Sequence, residues 1–140
     1  MNINPQLWGN SGWEFMHWIT LGYSSNPSYK EKTEMKNFFN TIGNILPCNS
    51  CRINFKKHLI KYPLNEKVLL NRTNLVTWLM NIHNEVNILN GKEIYNLSML
   101  YDKYLYGKQN INIFYIILFI LFILLLVILF MRYKKLHNRI

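Results

Sequence analysis

Both cysteines of this 140-residue chain sit in one short stretch, Pro47-Cys48-Asn49-Ser50-Cys51-Arg52. Two residues between the sulfurs is the spacing at which a helical first turn brings them within reach of a short disulfide, and a proline ahead of the pair suits a helix start. Unpaired amides at a helix N-terminus and the positive end of its dipole stabilise a thiolate, and Arg52, Lys56 and Lys57 add positive charge nearby. The pair is therefore read as reactive. The same spacing serves thioredoxin-like thiol exchange or half of a zinc site, so the pair by itself leaves both chemistries open.

Two further groups of residues carry candidate chemistry. Trp13 and His17, spaced i and i+4, share one face of a helix. His83-Asn84-Glu85-Val86-Asn87 is followed by Gly91-Lys92. Trp13 and the two histidines each have a plain reading as core residues, the histidines bonded to backbone. Asn84 and Asn87 lie about one turn apart beside His83, and amides on a core-facing helix need partners, which a polar ligand would supply.

These residues must be positioned by helices. Ser11 is placed to cap a first helix running to about Leu21, and Gly22 to Pro27 break it. Ser28 and Glu31 have capping-box spacing ahead of Met35, Phe38, Phe39, Ile42 and Ile45, which recur at helical intervals until Pro47. A third helix is expected from the cysteine pair through Phe55, Leu59 and Ile60 to Tyr62, with Pro63 as the stop. Asn71 or Thr73 can open a fourth, in which Leu75, Val76, Leu79, Ile82, His83 and Val86 repeat until Gly91. Leu97 to about Tyr106 fits a short fifth. No segment shows sustained strand alternation, and no repeat or glycine-rich phosphate loop is present, which argues against Rossmann and P-loop nucleotide sites. The fold class is all-α: a four-helix bundle plus a short fifth helix.

Ile113 to Met131 contains no charged residue, and its 19 residues span about 28 Å as a helix, close to the hydrocarbon thickness of a bilayer. We read it as a single C-terminal transmembrane helix, with the basic stretch Arg132 to Arg139 at the headgroups. Positive-inside counting puts that stretch in the cytoplasm, whereas an anchor following a folded domain with no leader ahead of it leaves the domain there; the second consideration is favoured. The net charge of +9 includes four basic residues (Arg132, Lys134, Lys135 and Arg139) beyond the apolar run. The others form no long block, so the charge is read as solvated surface and membrane flank, with no nucleic-acid partner. Two cysteines are too few for a secreted disulfide scaffold.

From Trp8 to about Gly107 the chain resembles the Erv/ALR family of flavin-linked sulfhydryl oxidases. Trp8-Gly9, Trp13 and His17 are similar to that family's Gly-x-x-x-Trp-x-x-Leu-His helix, with Met16 in place of the usual leucine. Pro47-Cys48-Asn49-Ser50-Cys51 resembles its active-site pair, and His83-Asn84-Glu85-Val86-Asn87 with Gly91-Lys92 resembles its flavin-binding segment. The resemblance implies FAD held by the bundle with its isoalloxazine ring against the CxxC. It implies cofactor contacts from Gly9, Trp13, His17, His83, Asn84, Asn87 and Lys92, with Tyr23 and Tyr104 as looser matches. It also implies that Cys51 lies beside the flavin while Cys48 meets the substrate. The activity so implied is formation of disulfides in partner proteins, the electrons passing through the CxxC and flavin to O2 to give H2O2. Residues 1–108 would form the oxidase domain, 111–131 the membrane helix and 132–140 a short basic tail.

Two departures from the family pattern have consequences. Further cysteines that relay electrons from substrate in many members are missing, so a thiol protein or a redox relay protein must reach Cys48 directly. The structural disulfide that often ties the fourth helix to the following segment is missing too, since Met80 and the region around Asn96 stand there. This reduced form is similar to sulfhydryl oxidases of large cytoplasmic DNA viruses, which implies a role in making disulfides of virion proteins at a membrane. The family resemblance also implies a homodimer through the first two helices. Two other readings stand beside it. A zinc module would use Cys48 and Cys51 with two of His17, His58 and His83, but this spacing matches no usual finger or ribbon. A tail-anchored adaptor would leave the Asn84 and Asn87 pair unexplained.

Overall fold

The computed structural model describes residues 2–106 and 113–137, all secondary structure among them being helical. Up to Leu105 the chain forms one compact unit, and from Tyr106 a second. The expected domain end at 108, the expected start of the membrane segment at 111 and the last residues of the basic tail, with Arg139, lie outside the described residues.

The first helix, α1 (Pro5–Leu21), starts about two turns earlier than Ser11 predicts. Asn4 is the cap, its Oδ1 accepting from Gln6 N at 3.0 Å, and Pro5 takes the first helical position, where a missing N–H costs nothing. Trp8 and Gly9 are thereby carried on the helix with Trp13 and His17. The second helix, α2 (Tyr29–Ile45), opens on the expected reciprocal box between Ser28 and Glu31. In α3 (Asn49–Lys61) the cap is Cys48 itself, whose Sγ accepts from Cys51 N at 3.2 Å. A 3₁₀ turn at Val68–Leu70 leads into α4 (Arg72–Leu89), capped by Asn71 Oδ1 on Asn74 N. α4 ends where Gly91 takes φ +63°, a left-handed conformation that glycine adopts without a Cβ clash. The fifth helix, α5 (Leu97–Tyr104), is one turn at most shorter than expected.

α1, α2, α3 and α4 close around Phe39, Leu69, Leu75, Leu79 and Ile82, none more than 1% exposed. Each such side chain contributes roughly 2–3 kcal/mol by its removal from water. Val76 and Met80 on α4 pack with Leu21, Leu100 and Tyr104, so α5 is held by apolar contact at the place where Met80 stands instead of a cysteine. The approach of α2 to α3 is close enough that a Cβ on Gly43 would lie 2.9 Å from Phe55 Cδ1.

The last helix, α6 (Ile113–His137), contains a segment, 115–135, long and apolar enough to cross a membrane, and none of it is buried. A helix apolar on every side has no face suited to water.

Candidate active site

Cys48 and Cys51 are joined as a disulfide across the first turn of α3, with Cα atoms 5.1 Å apart. The two sulfurs have different surroundings. Cys48 is 2% exposed and its Sγ takes two donors, Cys51 N at 3.2 Å and the Ser50 hydroxyl at 3.1 Å. These bonds and the helix dipole favour negative charge on that sulfur. The segment ahead of α1 is bonded to the residues on either side of Cys48: Ile3 N donates to Pro47 O at 2.9 Å, and Asn49 N donates to Asn2 Oδ1 at 2.9 Å. Cys51 is partly exposed and forms part of the wall of a cleft. Arg52 donates from its guanidinium to Leu46 O, which fixes the turn leading into the pair.

The cleft has a volume of about 270 Å³. α3 supplies Ser50, Cys51, Asn54, Phe55 and His58, α1 supplies Trp8, Gly9, Trp13 and Met16, and the end of α4 supplies Val86 and Asn90. A Cβ on Gly9 would meet nothing within 4 Å. His58 is 8% exposed, and its Nε2 has no hydrogen-bond partner.

Behind Trp13 lies a stack of rings. Trp13 and His83 are parallel to within 6° at a centroid distance of 4.1 Å. His83 Nδ1 and His17 Nε2 are 2.9 Å apart, sharing one proton between two buried imidazoles. Tyr104 stacks on His17 at 5.0 Å. Desolvation by burial, then the Lys103 ammonium, lowers the pKa of His17 to about 4. Desolvation, then His17 and the ammonium groups of Lys103 and Lys92, lowers that of His83 to about 3. Both rings are neutral at pH 7, and His17 Nδ1 is left without a partner.

The structure redistributes the residues singled out from sequence. Cys51, Gly9 and Trp13 face the cleft; His17, His83 and Tyr104 form the ring stack behind it. Asn84 corrects the expectation drawn from its amide. Its Nδ2 donates to Tyr95 O and its Oδ1 accepts from Tyr95 N, both at 2.8 Å, so its partner is the backbone beyond α4 and no ligand is required. Asn87 is 4% exposed and its Nδ2 is unpartnered, and it is not among the residues lining the cleft. Tyr23 is a core residue, 4% exposed, its hydroxyl donating to Leu69 O at 3.0 Å and its carbonyl accepting from Arg72 Nε. It has a structural partner and is not among the residues lining the cleft. Lys92 is exposed and anchors the turn after α4 by donating its N–H to Asn87 O at 2.8 Å. Trp8, Ser50, Phe55 and Val86 were not foreseen in the wall, and His58 was foreseen only as a possible zinc ligand. The signal for His58 was available: it stands seven residues after Cys51 and three after Phe55, on one helical face. Among the described residues no group of three or more metal-ligating side chains converges.

Comparison with known proteins gives concordant results. A probable FAD-linked sulfhydryl oxidase, R368, of Acanthamoeba polyphaga mimivirus is 47% identical over 92 residues, which cover 66% of this chain and 64% of that protein. The mitochondrial FAD-linked sulfhydryl oxidase ERV1 of Saccharomyces cerevisiae is 34% identical over 79 residues, covering 56% of this chain and 40% of that protein. The chain thus spans less than two thirds of the length of either relative. The crystal structure of the FAD binding domain of Erv1 from the same yeast superposes with a TM-score of 0.68 at 27% identity, covering 76% of this chain and 98% of that one. The model of the Erv1 / Alr family matches residues 10–105, which include the disulfide, most of the cleft wall and the whole ring stack. From this match, and from a solved fold that agrees with it, the chain belongs to the Erv1 / Alr family.

Proposed function

We propose that this chain is an FAD-dependent sulfhydryl oxidase that forms disulfides in thiol-bearing partner proteins. The observation that carries the reading is the Cys48–Cys51 disulfide at the N-terminus of α3, with Cys51 on the wall of an aromatic cleft. The cleft fits part of FAD. Trp8, Trp13 and Phe55 offer flat apolar surface, and His58 Nε2 on the same wall is buried without a partner. A volume of about 270 Å³ lies just under the usual range for ligand sites, which suits the ring system, and Trp13, His83 and Lys92 are the residues that would hold the rest of the cofactor. When bound, FAD supplies a two-electron acceptor for the reduced cysteine pair and a route for those electrons to O2, giving H2O2.

The protein's own steps are thiol exchanges. A substrate thiolate attacks Cys48 Sγ; the Cys48–Cys51 bond breaks, and Cys51 departs as a thiolate facing the cleft. The substrate's second thiolate attacks its own sulfur in the mixed disulfide and expels Cys48. Ser50 Oγ and Cys51 N are already placed to stabilise the charge on that leaving sulfur. Cys48 is 2% exposed, so the first attack requires a local opening, and the Asn2–Ile3 segment bonded to Pro47 and Asn49 is the proposed part that moves.

The membrane assignment rests on α6, and the same reading places the oxidase domain on the cytosolic side, with a virion membrane as the setting suggested by the viral relatives. Leu7, Phe15 and Trp18, which are 79%, 57% and 48% exposed, fall within about 80° of one another around α1 and support a homodimer through that helix. No nucleic-acid partner is part of this reading.

Purification of the full chain in detergent tests the assignment. A yellow protein with a flavin spectrum that consumes O2 with dithiothreitol is expected, and Cys51→Ser should abolish turnover while FAD stays bound. A colourless protein with stoichiometric zinc, or unchanged turnover in Cys51→Ser, refutes it. Glycosylation at the sequons Asn71-Arg72-Thr73 or Asn96-Leu97-Ser98 would place the domain in a lumen instead.

A further inference from the structure

His58 is the buried polar group on the cleft wall that nothing in the protein satisfies. It lies two turns after Cys51 on the same face of α3, about 10 Å along the axis. Phe55 lies between them on the wall, and Trp8, Trp13 and Met16 face them from α1. The nearest acid is already engaged: Glu85 Oε1 accepts from Lys61 Nζ at 2.8 Å and from the Tyr62 hydroxyl at 2.6 Å. An imidazole nitrogen held 92% out of water by burial, without a partner, loses hydrogen bonding worth keeping unless something entering the cleft restores it. The wall thus combines a flat apolar surface with one recessed hydrogen-bonding group, and a planar ring with an apolar body and a polar edge matches both.

We propose that His58 Nε2 is the hydrogen-bond partner of a polar edge of the flavin ring, and that it favours the reduced, more electron-rich ring over the oxidised one. The inference rests on the FAD assignment above and adds to it a residue of this chain that tunes how readily the ring accepts electrons. Burial outweighs the opposing influence of Glu85 and keeps the imidazole neutral, so the group can present Nε2–H as a donor. A donor to a ring position that gains electron density binds the reduced state more tightly, and hydrogen bonds to ring atoms are among the means by which proteins tune such a cofactor.

The test uses the full chain with FAD, comparing wild type with His58→Leu, His58→Met and His58→Gln. The readouts are the visible flavin spectrum, the FAD dissociation constant and the midpoint potential of the bound flavin against a reference dye. Leu and Met, which cannot donate, are expected to shift the equilibrium about tenfold toward the oxidised flavin, or about 30 mV lower in potential. They should also displace the absorption band, with FAD still bound. Gln, which offers an amide N–H, should recover most of both. Should Leu perturb folding, the more adaptable Met variant carries the comparison. A wild-type spectrum and potential in the Leu or Met variant overturns the proposal and means that water satisfies Nε2. Failure of the wild type to bind FAD would refute the FAD assignment itself, a result distinct from an unmoved potential in a yellow variant.

Discussion

The paired imidazoles of His17 and His83 make the folded protein sensitive to mild acid. An unfolded histidine titrates at 6.5, whereas in the fold the two are lowered to about 4 and about 3, first by desolvation and then by nearby positive charge. The unfolded chain therefore binds protons before the folded one does. The stability tied to the pair is fully present above pH 6.5 and is lost as pH falls toward 4 and 3. At pH 5 both rings are charged in the unfolded chain and neutral in the fold, so each histidine lowers stability by about 2 kcal/mol relative to pH 7. Together they remove roughly 4 kcal/mol of a total on the order of 5–15 kcal/mol. For a domain of this size that lowers the melting temperature by about 15–30 °C. The assay is urea unfolding of the full chain in detergent, followed by tryptophan fluorescence at a fixed FAD concentration between pH 5 and 7.5. His17→Gln and His83→Gln are each expected to be less stable at pH 7 and to lose about half of the pH dependence. His58, whose pKa is also lowered by burial, adds a contribution of the same sign that all three proteins retain. Equal stability of the wild type at pH 5 and 7, or an undiminished slope in both variants, refutes the reasoning.

Three further outcomes follow from particular contacts. Asn84→Ala removes both hydrogen bonds to Tyr95 and should cost about 2 kcal/mol; hydrogen exchange would show protection lost around Tyr95, and unchanged protection would contradict the role. Gly43→Ala gains helix propensity but drives a Cβ to 2.9 Å from the ring of Phe55, so a net loss of roughly 1 kcal/mol is expected in a thermal melt, and a gain would show that Phe55 moves freely. Ile3→Pro deletes the N–H that holds the N-terminal segment to Pro47 O and should raise the rate at which a monothiol reduces the Cys48–Cys51 disulfide by roughly fivefold, read in rapid-mixing experiments; an unchanged rate would mean that the segment does not guard Cys48.

What was legible in the sequence was mostly local. The reciprocal bonds of Ser28 and Glu31, the break at Pro47 and the left-handed Gly91 are determined by residues within a turn of one another, and α2 and α4 form where these signals and the apolar period agree. Ser11 is a sound capping residue by type, yet Asn4 followed by Pro5 is an equally local cap and first-position signal, and it is the one the chain uses. The non-local features were out of reach. That Asn84 would bond a backbone eleven residues on depends on how the segment after α4 folds back along that helix, and that Tyr23 would reach Leu69 and His17 and His83, 66 positions apart, would share a proton depends on how α1 and the turn after it pack against α4 and the turn before it. Motif similarity placed those residues together, but it could not distinguish the ones with partners in the protein from those without.

That distinction changes how the site is understood. A polar residue in a flavin-binding motif is a candidate contact only to the extent that the fold leaves its donors and acceptors free, and Asn84 and Asn87 differ on this point although they are one turn apart on α4. Asn84 ties the segment after α4 to the helix, while Met80 fills the apolar gap beside Leu100 and Tyr104. The same logic divides the two cysteines. The donors converge on Cys48 Sγ, so negative charge is best tolerated there, yet the cleft opens onto Cys51. Under the proposed oxidase reading, a pair so arranged would release substrate from the stabilised sulfur and leave its partner facing the cofactor, so that exchange with protein and transfer to the ring would occur on opposite sides of one helical turn and not compete for the same space.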